Sequence, residues 1–266
     1  MSDAKSVVQS AAKTFAVLRA FSAERTELTI TDVAGLAALD RGTAFRLINT
    51  LVALGYLAAV PGSRRFRLTL KCLDLGYSAL AGGGLAGMAA PLLRELVPGT
   101  ADAASLGMLE GPDVVYVARV QTEMGRRDLD RRVGSRTGAY AAALGHVLLA
   151  WRPEQEARAV LERGERVKLS ERTLTDMDAL LDRLRAVRAR GYAVSDGENA
   201  YGLRTVAAPV LDQSGLPRAG VSLTVRSERM ALDGFIQTAL PELRRVTGAL
   251  AIALGQIEAA PERRAG

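Results

Sequence analysis

Apolar residues between positions 29 and 54 recur every three or four residues in two successive runs, the spacing of amphipathic helices. The runs comprise Ile30, Val33, Ala34 and Ala37, then Ala44, Leu47, Ile48, Leu51 and Leu54. Thr29 and Asp40 stand just before the runs, where side-chain oxygens cap helices, and Asp32 completes a weaker form of the capping box. Gly55 follows the second run and predicts its end.

A basic hairpin is predicted directly after the second helix. Residues 57–60 and 65–68 have the composition of strands, and Pro61-Gly62-Ser63-Arg64 has that of a turn. Two helices joined by a tight turn and followed by a basic hairpin are the layout of a winged helix-turn-helix. This layout points to duplex DNA as a partner.

The polar face of the second helix carries side chains suited to duplex DNA, because hydroxyls, amides and long cations bind phosphates and base edges. The helix residues predicted to contact DNA are Arg41, Thr43, Ala44, Arg46, Asn49 and Thr50. The hairpin arginines predicted to contact the backbone or the minor groove are Arg64, Arg65 and Arg67. A polar face is also typical of a helix that merely faces solvent, but the three hairpin arginines favour DNA.

Two further helices flank this layout. A helix that packs behind the other two is predicted from Val8, Ala11, Phe15, Leu18 and Phe21. A helix after the hairpin is predicted from Leu70, Leu73, Tyr77 and Leu80. The apolar stripe of this helix predicts a contact with the same helix of a second copy in a dimer. The alternative is that the stripe packs on the DNA-binding domain of its own chain.

The best domain boundary is the run Gly82-Gly83-Gly84, because each glycine costs about 1 kcal/mol inside a helix. Another helix is predicted from residue 85 to 96. The predicted division is a winged helix-turn-helix at residues 1–69, linker helices at 70–97 and a further domain at 98–260.

The rest of the chain alternates strand and helix patterns. Strands are predicted at residues 103–109, 114–120, 126–133, 192–195, 206–211 and 218–225, and helices at 139–151, 175–190 and 232–257. A sheet with helices on both sides, in an open mixed order, is typical of a small-molecule sensor domain. The predicted fold class is therefore α+β.

Composition narrows the possible functions. The 266 residues carry a net charge of +6 and a pI near 9.8, which favours a polyanionic partner. The single Cys72 and the single His146 exclude an internal disulfide framework and a zinc site built of thiolates or histidines. His146 is predicted to be a structural histidine, and no hydrolase or nucleotide-binding motif is present.

No catalytic residue, metal or cofactor is therefore predicted, and an enzyme is the weaker alternative. The polar start of the chain and the lack of a long apolar run predict a cytoplasmic protein without membrane contact.

The chain resembles the IclR family of bacterial transcriptional regulators over nearly its whole length. The segments that carry the resemblance are residues 8–21, 41–57, 66–77, 143–150, 188–198 and 201–215. Residues 132–150 and 198–210 are most similar to the regulators of aromatic-acid breakdown, which include those of the protocatechuate, 4-hydroxybenzoate and β-ketoadipate pathways.

The resemblance implies a GAF-like effector-binding domain after the winged helix-turn-helix, and homodimers or dimers of dimers on palindromic operators. It also implies an effector site between the sheet and the helix predicted at 139–151. Carried over by position, the wall comprises Thr137, Tyr140, Ala143, Leu144, Ser195, Leu203, Thr205, Ser222 and Thr224.

Arg136 and Arg204 are the predicted cationic partners of a carboxylate effector, with ordinary surface arginines as the alternative. The amides at the start of the predicted helix would also favour an anion. The sequence therefore predicts a DNA-binding regulator that responds to an aromatic acid or a related dicarboxylate. The alternative is a DNA-independent metabolite-binding or hydrolytic protein.

Overall fold

The computed structural model describes residues 7–81, 84–122 and 131–259. The chain forms two compact units, Met1–Gly82 and Gly83–Gly266. The domain limits predicted from the sequence stay predictions, and two residues of the glycine run, Gly82 and Gly83, lie outside the described residues.

The first unit contains a three-stranded antiparallel sheet and four helices among its described residues. Its elements are α1 (Gln9–Arg19), β1 (Glu27–Thr29), α2 (Ile30–Leu36), α3 (Arg41–Ala53), β2 (Leu57–Ala59), β3 (Arg65–Leu68) and α4 (Cys72–Ala81). The strand order is β1-β3-β2. This is a winged helix-turn-helix, as predicted, except that β1 was not expected. A three-residue strand leaves little periodicity to recognise, and it exists here because it pairs with β3, which lies far along the chain.

Both predicted helix caps are confirmed. Thr29 Oγ1 accepts from the Asp32 amide at 3.2 Å and the Asp32 carboxylate accepts from the Thr29 amide at 2.9 Å, which is a full capping box. Asp40 accepts from the Thr43 amide at 2.8 Å and starts α3. Gly55 has a φ of +81° directly after the last turn of α3, a conformation that glycine adopts without strain.

The inner face of α1 agrees with the prediction only in part, because Leu18 and Phe21 pack in the core as expected. Phe15 and Val8 are exposed, and Val17 and Ala20 are buried together with Phe21. Apolar residues lie on two sides of this helix, so helical spacing fits either stripe. Tertiary packing against Ile48 and its neighbours selects the stripe that contains Val17.

The described residues of the second unit are built on a six-stranded antiparallel sheet. Its elements are α5 (Leu85–Leu96), β4 (Ala103–Glu110), β5 (Asp113–Gln121), β6 (Arg136–Gly138), α6 (Ala143–Leu149), α7 (Glu154–Glu162), α8 (Met177–Arg190), β7 (Ala193–Asp196), β8 (Leu203–Leu211), β9 (Pro217–Arg226) and α9 (Leu232–Ala259). The strand order is β6-β5-β4-β9-β8-β7. Helices cover both faces, as predicted: α5 and α9 form one core with the sheet, and α6, α7 and α8 form the other.

One predicted strand of this unit lies mostly outside the described residues, and one predicted helix begins later than expected. Most of the strand predicted at 126–133 lies outside the described residues, and residues 131–133 are not in a strand. The helix predicted from residue 139 begins at Ala143, because Ala142 is still extended, with φ −101° and ψ 136°. Alanine content alone therefore placed the helix start four residues too early. The helix α7 was not predicted.

None of the helices in the described part of the chain is long and apolar enough to cross a membrane.

Candidate functional site

A narrow cavity lies between the start of α6 and the sheet face beneath it. Its walls combine two arginines, several hydroxyls and a few apolar side chains. The lining residues are Tyr116, Arg119, Arg131, Ala142, Ala143, Leu144, Ser195, Asn199, Ala200, Leu203, Thr205, Ser222 and Thr224.

Strand alternation and register bring the hydroxyls together. Successive side chains of a strand point to opposite faces, so Ser222 and Thr224 face α6 while Val221 and Leu223 enter the core under α5 and α9. Thr224 pairs with Thr205 of β8, and its Oγ1 lies 3.0 Å from the Thr205 Oγ1. Ser195 of β7 pairs with Thr205 in turn, so three neighbouring strands form one row of hydroxyls.

A second row supplies a cation. Ser222 pairs with Ser105 of β4, and Ser105 pairs with Arg119 of β5. The Arg119 Nη1 donates to the Ser105 Oγ at 2.7 Å, and its Nε donates to Gln121 at 2.8 Å, which holds the guanidinium beside the cavity.

The charged groups of the cavity favour an anion. The guanidinium carbons of Arg119 and Arg131 lie 5.8 Å and 5.6 Å from the ring centroid of Tyr116. Among the lining residues that the structure describes, none is an aspartate or a glutamate. A carboxylate would therefore meet two guanidinium groups and several hydroxyl donors, which are the partners that charge-assisted hydrogen bonds require.

Small residues allow α6 to approach the sheet closely. Gly107 of β4 pairs with Gly220 of β9, and a Cβ at either position would lie 3.0 Å from a methyl group of Leu144. Leu144 therefore packs directly over the two glycines. This contact fixes the start of α6. Ala142, just before the helix, and Ala143 and Leu144 within it form one wall of the cavity.

Seven of the residues predicted for the effector wall lie together in this cavity: Ala143, Leu144, Ser195, Leu203, Thr205, Ser222 and Thr224. Thr137 lies behind the wall, where its hydroxyl donates to the Asn199 side chain at 3.2 Å. Tyr140 points away from the cavity, and its hydroxyl donates to the Val167 carbonyl at 2.7 Å.

Neither of the two predicted cationic partners lines this cavity. The half-exposed Arg136 pairs with Glu110 at 2.9 Å and does not line the cavity. Arg204 pairs with Asp196 at 2.9 Å and also donates to the carbonyl of Ser227. Both guanidinium groups bind local protein acceptors, and the cavity cations are Arg119 and Arg131 instead.

Sequence reasoning missed Arg119, Arg131, Tyr116 and Asn199. The one available signal was the alternation within β5, and a β-bulge where β5 pairs with Leu106 and Gly107 interrupts it, so that Tyr116 and Ala118 face opposite cores although they are two residues apart. That signal does not reveal which neighbouring strand Arg119 faces, because the register of a sheet depends on residues distant in sequence.

The first unit presents the second candidate site. On α3, Arg41, Arg46, Asn49 and Thr50 are exposed and Thr43 is half-buried. Ala44 is fully buried beneath the helix, so the prediction that it contacts DNA is wrong. The hairpin arginines are all exposed, and Arg65 donates to the Glu27 carbonyl at 3.0 Å, which ties it to β1.

The apolar stripe of α4 is exposed where the structure describes it. Leu70 and Leu73 are 82% and 64% exposed, so they do not pack on their own DNA-binding domain. The side chains of Tyr77 and Leu80 lie outside the described residues. The dimer contact stays a prediction.

Two family models match the chain. Residues 10–61 match the IclR helix-turn-helix domain, and residues 77–252 match the C-terminal domain of bacterial IclR transcriptional regulators. The chain is 34% identical to the HTH-type transcriptional regulator KdgR of Escherichia coli (strain K12) over 224 residues, 84% of each chain. It is 33% identical to the Pca regulon regulatory protein of Pseudomonas putida over 234 residues, 88% of this chain and 80% of that protein.

Solved structures agree with this assignment. A transcriptional regulator from Rhodococcus sp. RHA1 is 38% identical, with a TM-score of 0.83 over 94% of this chain and 100% of that one. The inducer-binding domain of the PobR transcription factor from Acinetobacter, a double mutant in complex with 3-hydroxybenzoic acid, is 28% identical. Its TM-score is 0.57, over 62% of this chain and 97% of that domain.

The two family models agree with the observed fold, which combines a winged helix-turn-helix in the first unit with an antiparallel sheet in the second. The chain belongs to the IclR family of DNA-binding transcriptional regulators, which are not enzymes.

Proposed function

We propose that this regulator senses a small carboxylate, an aromatic acid or a β-ketoadipate-type catabolite, in the cavity between α6 and the sheet. The observation that carries the proposal is the pairing of Arg119 and Arg131 with a row of buried hydroxyls, in a cavity whose described walls hold no acidic side chain. A buried carboxylate needs such partners, because desolvating an unpaired charge is costly.

The apolar part of the cavity suits a ring or a short chain. Leu144 and Leu203 lie on the cavity wall with Tyr116, and aromatic and aliphatic side chains typically line small-molecule sites while a few polar groups fix the orientation. We place the carboxylate against Arg119 and Arg131 and the ring or chain against Leu144 and Leu203.

Similarity supports this ligand class and does not restrict it to one compound. The PobR inducer-binding domain was solved with 3-hydroxybenzoic acid, and the Pca regulator is among the relatives. KdgR has comparable identity, so ligands of other regulators in the family belong in the same test.

Loss of one cavity cation is expected to weaken binding of a carboxylate effector at least tenfold. A hydrogen bond to a charged group contributes about 1.5–3 kcal/mol, and about 1.4 kcal/mol corresponds to tenfold in affinity. Calorimetry with 4-hydroxybenzoate, protocatechuate and β-ketoadipate would compare the wild type with Arg131→Ala and with the double variant Thr205→Val, Ser222→Ala.

Arg136→Ala is the matched control, because Arg136 is an arginine of the same unit outside the cavity. If a compound that shifts DNA binding binds all variants equally well, the assigned site is wrong. If none of the three compounds binds but another carboxylate does, only the proposed ligand class is wrong.

We propose further that α3 enters the major groove of a palindromic operator and that the hairpin arginines contact the DNA backbone. Arg46→Ala should weaken operator binding by about 1–3 kcal/mol, the value of a base-edge contact. A mobility-shift titration measures the loss. Arg46→Lys is the control, because lysine keeps the charge and loses the planar fork. Wild-type affinity in Arg46→Ala would contradict the docking.

A further inference from the structure

Phe45 is an exposed aromatic side chain on the polar face of α3. It is 51% exposed and does not belong to the hydrophobic core of the first unit. The core-facing side of α3 is formed by Ala44, Ile48 and Leu51 instead. The exposure of Phe45 therefore does not follow from the packing of its own domain.

The position of Phe45 relative to the polar residues is informative. Arg41 and Asn49 lie one helical turn before and one turn after it, and residues four apart share a face of a helix. Both neighbours are exposed. Phe45 thus occupies the middle of the stripe that carries groups able to bind base edges, with Arg46 beside it.

A phenyl ring has no donor or acceptor for a base edge, which limits what it can recognise in a major groove. The thymine 5-methyl group is the apolar feature that the four base pairs present there. Contact between the phenyl ring and that methyl group removes apolar surface of both groups from water.

We propose that Phe45 reads a thymine methyl group in each half of the operator. The inference rests on the proposed docking of α3 in the major groove. Four residues of α-helix rise about 6 Å, and successive bases on one strand are about 3.4 Å apart. The thymine should therefore lie within about two base pairs of the base contacted by Arg41 or Asn49.

The test removes only the methyl group. Operators are enriched from random duplexes with the full-length protein, and each thymine is then replaced in turn by deoxyuridine. Wild-type protein should lose about fourfold in affinity per half-site at one symmetric position, the value of one buried methyl group. Phe45→Ala should bind the thymine and deoxyuridine duplexes equally, and Phe45→Leu should keep part of the preference.

Arg46→Ala separates this inference from the docking on which it rests. It should weaken binding to both duplexes and leave the thymine preference unchanged. If Arg46→Ala loses affinity but Phe45→Ala keeps the full thymine preference, the role of Phe45 is overturned and the docking stands. If deoxyuridine has no effect at any position in the wild type, the role of Phe45 is likewise overturned. If Arg46→Ala binds as the wild type does, both ideas fail.

Discussion

Replacing Gly145 with alanine is expected to destabilise the second unit by about 3 kcal/mol or more, at the upper end for overpacked cores. A Cβ at Gly145 would lie 2.6 Å from the carbonyl carbon of Ala139 and closer still to its oxygen and Cα. These are backbone atoms of a residue that is fully buried. The next carbonyl, that of Tyr140, is 2.7 Å from the His146 Nε2, so the segment is held in place.

Trp151 gives a direct measurement of this effect. It is the single tryptophan of the chain and packs against the core that contains α6, so its fluorescence during urea unfolding reports on the second unit. Gly248→Ala in α9 is the matched control, because a Cβ there meets nothing within 4 Å. That variant should gain about 0.5–1 kcal/mol from helix propensity. A Gly145→Ala protein as stable as the wild type would show that the backbone at Ala139 can move.

Local chemistry explains which elements the sequence predicts well. The caps at Thr29 and Asp40 depend on contacts three residues away, and α5 has the predicted bounds of Leu85 to Leu96. These features need only propensity and spacing. The stripe predicted for α1 shows the limit, because only Leu18 and Phe21 of it belong to the core, and a helix with apolar residues on two sides depends on its partners for its orientation.

The cavity was predictable only in part, for a physical reason. Resemblance by position identified the hydroxyls of its wall, of which Thr205, Ser222 and Thr224 lie on two paired strands. The predicted cations Arg136 and Arg204 do not line the cavity, because they bind local acceptors that only the folded chain brings near them. The register of the sheet places Arg119 opposite Ser105 of the neighbouring strand β4.

The segment from Ala139 to Leu149 contributes to the stability of the second unit and also forms part of the wall of the candidate effector cavity. Gly145 lets the helix lie against its own preceding turn, and Leu144 packs on two glycines of the sheet. The same segment contains His146, which is fully buried and interacts with the carbonyl of Tyr140. A change in the charge of His146 should therefore act on the residues that form one wall of the cavity.

His146 should make the stability of the second unit depend on pH between about 6.5 and about 4. Burial lowers the pKa of its imidazole from 6.5 to about 4, and Arg183 and Arg190 add repulsion. Nδ1 is buried without a hydrogen-bond partner among the residues that the structure describes, so a proton added there finds no acceptor. The imidazole is thus neutral in the folded protein, with Nε2–H donating to the Tyr140 carbonyl.

The sign of the effect follows from proton binding. Below pH 6.5 the unfolded chain binds a proton that the folded chain does not accept until about pH 4, so stability is complete above pH 6.5 and falls through this interval. Lowering the pKa of His146 from 6.5 to about 4 corresponds to about 3 kcal/mol. His146→Gln keeps a donor near the Tyr140 carbonyl and cannot titrate. Unfolding free energies from Trp151 fluorescence at pH 7, 6, 5 and 4 should fall by about 3 kcal/mol more in the wild type than in this variant. Parallel curves for the two proteins would mean that His146 is not the group that couples stability to pH.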